Sequence, residues 1–206
     1  MRLLIAGAGG HGRVVADAAA LCGRWSEIAF IDDRYPALSV SGVWAVTGRF
    51  DDLARLSGEY TSFLAAVGDA RLRLDLLRRA VTGFDLPVLL HPRATASPHA
   101  RLNPGVVLFA GSVVNVGAEL EVGCIVNTGA TVDHDCHLAE GVHVCPGAHL
   151  AGDVRVGART WFGIAAAAQR GVRIGSDVTV GAGAVCLCDV RDGVTVVGVP
   201  AKEISQ

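Results

Sequence analysis

From residue 96 onward the chain repeats itself every six residues, and few folds satisfy such a period. Stepping by six from Ala96 passes through Leu102, Val114, Val126, Val132, Val144, Leu150 and Phe162 to Val180. Twelve of these fifteen positions are Leu, Val or Ile. Four residues after each comes a small or β-branched side chain, such as Ala130, Cys136, Ala148 or Val154. The position between is mostly Gly or Asp, as at Gly129, Asp135, Gly147 and Asp153. Those residues tolerate the positive φ of a tight turn. An aliphatic pointing inward, a small residue in the next inward slot and a turn every six residues predict a parallel β-helix.

The N-terminal third reads differently. An apolar run, Arg2 to Gly7, leads into Ala8-Gly-Gly-His-Gly12 and then an alanine-rich segment, Val14 to Leu21. Strand, glycine turn and helix follow from that order. Gly7, Gly9 and Gly12 match the dinucleotide fingerprint, and a second strand, Glu27 to Ile31, ends at Asp32-Asp33, where such folds hold a ribose hydroxyl. A third strand, Ser62 to Val67, ends at Gly68-Asp69 and precedes a helix from Arg71 to Val81. The expectation is a Rossmann-like α/β domain with a parallel sheet over residues 1–85. Its ligand would be a nucleotide rather than NAD, because so short a segment lacks the second mononucleotide-binding half. The helix domain is expected over 86–185 and a C-terminal tail over 186–206.

Composition excludes several classes of function. A formal net charge of -2 gives no electrostatic case for nucleic acid or an anionic membrane surface. Apolar runs are too short to span a bilayer, and the N-terminus reads as a buried strand, not a leader. The six cysteines form no C-x-x-C pair, and Cys124, Cys136 and Cys186 fall on core repeat positions. Buried, reduced thiols in a cytoplasmic protein are the expectation.

The repeat resembles the hexapeptide-repeat acyltransferases, whose left-handed β-helix has three hexads per triangular coil. That resemblance implies five coils, residues 18 apart stacked on one edge, a homotrimer, and acetyl-CoA bound between neighbouring helices. Asp133-His134-Asp135 then falls where a strand gives way to a corner, with Gly152 beneath the histidine and Arg170 beneath the glycine. A base facing an open backbone amide suits acyl transfer: one group takes the acceptor's proton, the other holds the oxyanion. Either aspartate could orient the imidazole. His137, His143 and His149 precede inward repeat positions in a slot that looks solvent-facing. They fall on successive faces, so they point apart and do not converge on one metal within a subunit.

Gly7-Ala-Gly-Gly-His-Gly, Phe30-Ile-Asp-Asp33, Val67-Gly-Asp69, His91-Pro-Arg-Ala-Thr95, Asn127 to Cys136 and Gly198-Val-Pro-Ala-Lys202 together resemble the NeuD/PglD-type sugar acetyltransferases. That family resemblance implies an acetyl-CoA-dependent N-acetyltransferase acting on the 4-amino group of a UDP- or GDP-linked amino sugar. His134 would be the general base and Asp135 its acidic partner. His143 would contact the acceptor sugar or the acetyl donor, and Gly152 and Ile164 the acetyl donor, while Gly9, Gly10, His11, Asp32, Asp33 and Gly68 would receive the nucleotide-sugar. Two alternatives stay open: O-acetylation of sialic acid or another sugar hydroxyl, and a non-catalytic or zinc-binding β-helix. Relatives often carry lysine where this chain has Cys188, and proline where it has Arg170.

Overall fold

The computed structural model describes residues 1–204. They divide into two compact units, the first Met1–Pro92 and the second from Arg93 onward.

In the first unit, β1 (Arg2–Ala6), α1 (Gly10–Cys22) and β2 (Glu27–Ile31) follow in order, then β3 (Val40–Ser41) and β4 (Trp44–Gly48). A 3-10 turn at Phe50–Asp52 leads to α2 (Leu53–Leu56), β5 (Ser62–Ala65) and α3 (Ala70–Ala80). The sheet order is β3-β4-β2-β1-β5. β1 pairs in parallel with both β2 and β5, so the carboxyl ends of all three strands lie on one edge. Leu3, Leu4 and Ile5 are fully buried, as a strand covered on both faces requires. α1 begins at Gly10, ahead of the alanine-rich run, because the turn is tighter than the apolar pattern suggests. Gly7 has a φ of 98°, and a side chain on Gly12 would collide with the Gly7 carbonyl. Asp69 caps α3 by accepting the Leu72 amide at 2.8 Å.

Residues 86–92 fall within the first compact unit. Asp85 bonds to both neighbours of Ser62 through the backbone, giving and taking one hydrogen bond at 2.9 Å each. Leu89 is fully buried, and Cys22 Sγ donates to the Leu90 carbonyl at 2.9 Å.

The second unit is the β-helix. Two-residue strands stack in parallel at a register of 18, as in Thr131↔His149 and Val132↔Leu150, or His143↔Trp161 and Val144↔Phe162. Three sheets result, one for each hexad of a coil. Val132, Val144 and Phe162 are fully buried, and so are Ala130, Ala148 and Ala166 in the small slots. The turn slots have positive φ whether or not they hold glycine: Gly129 67°, Asp135 60°, Asp153 58°, Arg159 61° and Ala165 55°. Outside glycine this conformation costs about 1–2 kcal/mol. At Arg159 a two-pronged pair with Asp177 (Nε–Oδ1 2.9 Å, Nη2–Oδ2 2.6 Å) holds the turn. Residues 186–196 belong to this body rather than to a separate tail, since Thr195–Val197 continues the stack beside Thr179 and Val180. Lys202–Ile204 then folds back on it antiparallel.

Candidate active site

The corner after Val132 gathers the residues that can do chemistry. His134 Nδ1 lies 2.9 Å from Asp135 Oδ2. A carboxylate only accepts, so Nδ1 carries the proton and Nε2 is left as the basic atom. Asp133 has a different task. Its Oδ1 accepts the His134 amide at 2.7 Å and Asn115 Nδ2 at 2.8 Å, which fixes the backbone before the histidine. Those two hydrogen bonds, the Asn115 one first, hold the Asp133 carboxyl below the usual range. Sequence alone did not separate the two aspartates; their hydrogen bonds do.

Glycines clear the ground around this pair. A Cβ on Gly117 would run into Asp135 Oδ1, and one on Gly152 would meet the His134 ring, within 2.5 Å of Cε1 and 3.0 Å of Cδ2. The Nε2 end of the imidazole therefore lies against Gly152, as the 18-residue stacking requires. Among the described residues the Gly152 amide donates to no protein acceptor. Base and free N–H thus share one edge, with the His134 side chain 42% exposed and open to a substrate. A concavity of about 440 Å³ lies on the adjoining face, lined by Asn115, Thr131, Asp133, His149 and Ala151. Asp133 and Ala151 immediately precede His134 and Gly152, so this groove leads to the base.

His143 and Ile164 sit elsewhere on the helix. His143 lies in the sheet of Ile125–Val126 and Trp161–Phe162, not in the sheet that runs into His134. The slot pattern placed it in solvent, yet it is buried. Its Nε2 is 3.1 Å from Asn127 Nδ2, and its ring packs edge-on against Trp161 at 4.4 Å. Ile164 follows Phe162 at the turn of that same sheet and is exposed beside a half-exposed Trp161. One chain therefore brings His134, Asp135 and Gly152 together and carries His143 and Ile164 on another edge. His149 lies in the sheet that runs into His134 and His137 in the third, so these three histidines are divided among three faces.

The nucleotide-fingerprint residues meet at the carboxyl edge of the first unit's sheet. Side chains added at Gly9, Gly10 or Gly68 would touch nothing within 4 Å, so ligand could approach the backbone there. His11 is pushed down to about 4 by burial and then by the nearby Arg73 charge, which keeps it neutral near pH 7. Arg73 is itself almost wholly buried and donates from Nη1 to the carbonyls of Val67 (2.9 Å) and Gly68 (3.2 Å), shaping the loop after β5. Nothing in the sequence pattern marked this arginine, which sits on a helix face that periodicity assigns only loosely. Asp32 is buried and Asp33 exposed, with Asp33 Oδ1 accepting the Phe50 amide at 3.2 Å. Among the described residues no group of three or more His, Cys, Asp or Glu could hold a metal ion.

Coils of three hexads, with an acid-held histidine above a glycine at one edge, define a hexapeptide-repeat acyltransferase. Residues 2–80 match the family model of the PglD N-terminal domain. The chain is 48% identical to the acetyltransferase domain of PglB from Neisseria gonorrhoeae, solved in complex with acetyl coenzyme A. That match covers 98% of each chain with a TM-score of 0.94. It is 39% identical to a histidine-to-alanine mutant of GDP-perosamine N-acetyltransferase from Caulobacter crescentus, in complex with CoA and GDP-perosamine. Here 100% of this chain and 98% of that one are covered, with a TM-score of 0.94. WeeI from Acinetobacter baumannii, at 22% identity, 99% and 100% coverage and a TM-score of 0.89, shares the fold. No curated protein matches the chain in sequence. The chain belongs to the NeuD/PglD-type sugar acetyltransferase family, and it is an acyltransferase.

Proposed function

We propose that this protein transfers an acetyl group from acetyl-CoA to the 4-amino group of a UDP- or GDP-linked amino-deoxy sugar. The observation that carries the reading is His134, held by Asp135 and laid over the free amide of Gly152. The amine nitrogen attacks the thioester carbonyl while His134 Nε2 takes its proton. The Gly152 amide steadies the oxyanion, the C–S bond breaks, and the CoA thiolate leaves with the proton. Transfer is direct, with no acyl-enzyme. The groove beside Asp133 and Ala151 gives the acyl arm of acetyl-CoA room next to the base. The PglB domain solved with acetyl coenzyme A and the Caulobacter enzyme solved with CoA and GDP-perosamine support both substrates.

Because His143 and Ile164 lie on another edge of the same chain, they reach a thioester at His134 only from a neighbouring copy. This supports a homotrimer whose sites form between helices. No described helix is long and apolar enough to cross a membrane. Four buried thiols, at Cys124, Cys136, Cys145 and Cys186, fit a reducing cytoplasm, where the product would enter glycan biosynthesis.

The test is His134→Ala, assayed by thiol release with UDP- and GDP-4-amino sugars. General-base loss should lower kcat by about 10²–10⁴-fold with acetyl-CoA affinity unchanged. Turnover at the unmutated rate would refute the base assignment. Acetylation of a sugar hydroxyl in preference to the amine would refute the acceptor.

A further inference from the structure

We infer that Cys136 is a positioning residue for acyl transfer: its thiol aims the Gly152 amide at the oxyanion by holding the carbonyl at the other end of the same peptide bond. The inference rests on the proposed oxyanion role of that amide and adds the group that fixes its direction.

Cys136 fills the small inward slot four residues after Val132 and is only 1% exposed. Its Sγ donates to the Ala151 carbonyl at 3.1 Å. That carbonyl and the Gly152 N–H belong to one peptide group, which is planar and trans, so the two bonds point in opposite directions. Fixing one fixes the other. The neighbouring peptide groups are held by the ladder, through the Ala151 amide to Ala168 O at 3.1 Å and the Gly171 amide to Gly152 O at 3.0 Å. Among the described residues the thiol is the one partner of the Ala151 carbonyl. A hydrogen bond to the carbonyl also polarises the peptide and strengthens its N–H as a donor. Burial pushes the Cys136 thiol up to about 11, so it keeps the proton that it donates.

The helix uses this bond elsewhere, and one instance shows what it achieves. Cys124 Sγ reaches the Ala139 carbonyl at 3.1 Å, and Thr160 Oγ1 the Gly175 carbonyl at 2.7 Å, each 15 residues further along the chain as Ala151 is from Cys136. Across the peptide bond from Gly175, the Ser176 amide donates to a carboxylate oxygen, Asp192 Oδ1, at 2.7 Å. Ser176 stands two residues after Ile174, as Gly152 stands two after Leu150. A corner amide backed through its own carbonyl thus already holds an anionic oxygen in this chain. At Gly152 the same arrangement lies beside His134.

The slot itself supplies the test. It holds valine at Val142 and Val154 and threonine at Thr160, all fully buried. Cys136→Val and Cys136→Thr therefore differ in little but the donor. Losing an oxyanion donor outright costs about 10²–10³-fold in kcat, and leaving one unaimed should cost less, about 10-fold in Cys136→Val. Cys136→Thr should return to within about threefold of the intact protein. KM for acetyl-CoA and the pH at which kcat/KM turns should match the intact protein in both, because the base is untouched. The same pair at Cys124, whose carbonyl belongs to a corner without the base, controls for a purely structural effect and should change kcat less than about twofold. Should Cys136→Val not fold, Cys136→Ala, which copies Ala130 and Ala148 in the same slot, replaces it against threonine. Equal kcat with and without the donor at 136, equal losses at 124 and 136, or a shifted pH profile in Cys136→Val overturns the inference and leaves the transferase standing. Failure of the intact protein to acetylate any 4-amino sugar nucleotide overturns the proposed function instead.

Discussion

Gly152→Ala is the sharpest perturbation of the acyl-transfer edge, because it adds one methyl group where the imidazole lies. The new Cβ would come within 2.5 Å of His134 Cε1 and 3.0 Å of Cδ2, where ordinary contact begins near 3.4 Å. The ring must retreat by roughly 1 Å, and a misplacement of that size at a reacting centre costs about 10²-fold in rate. By transition-state arithmetic that is about 2.7 kcal/mol. The ring cannot yield freely, since it is tethered through Nδ1 to Asp135 at 2.9 Å and through its amide to Asp133 at 2.7 Å. The backbone of Gly152 is not strained in the left-handed region, so alanine is admissible there and the fold should survive. Steady-state kcat with acetyl-CoA and a 4-amino sugar nucleotide, beside an unchanged melting profile, is the assay. A folded Gly152→Ala protein with an undiminished kcat would show that the base is not the imidazole over this glycine.

Two further measurements follow, one at each of the two units. Asp135→Asn removes the charge of the bond that orients His134 and should lower kcat about 10–100-fold, since a charged hydrogen bond contributes about 1.5–3 kcal/mol. Asparagine tolerates the φ of 60° at that turn, and Asp133→Asn, which keeps an acceptor for Asn115 and the His134 amide, should change kcat only a few-fold. Equal losses in the two variants would undo the division of labour between the aspartates. At the other site, Arg34 bonds to Asp32 through Nε at 2.7 Å and Nη2 at 2.8 Å and holds it at about 2 against an ordinary 3.8, so its contribution is present above about pH 4 and fades as pH falls toward 2. After a discount for the exposed arginine it amounts to about 1–2 kcal/mol. Urea unfolding of the intact protein and Asp32→Asn should therefore differ by that amount at pH 6 and converge near pH 2; a gap independent of pH would contradict it.

The helix could be read from the sequence because one period fixes every inward position. Val132 must face the core if Val126 and Leu138 do, and Gly152 must lie below His134 once a coil is 18 residues long. The hairpin of β3 and β4 escaped notice because β3 is only two residues long and the apolar run Val43-Trp-Ala-Val46 that opens β4 does not alternate with polar residues. His143 was misplaced because the slot pattern says which way a side chain leaves the backbone, not what stands beside it. Asn127 and Trp161, 16 residues before it and 18 after, close over the imidazole. The pairing of Asp32 with Arg34 involves residues only two apart, yet its meaning depends on Ala8 arriving from another turn. Such pairings belong to tertiary structure and leave no periodic trace.

The turn slots have one consequence for how this family can change. Between His134 and Gly152 the distance in space is set by counting, one full coil of chain, and not by any contact the two residues make. A substitution on an outward slot leaves that count alone, whereas the loss of a single residue between them would slide Asp153 into the place of the glycine. Whole coils added at either end would leave the edge undisturbed. The site is thus guarded against changes of length more strictly than against changes of letter.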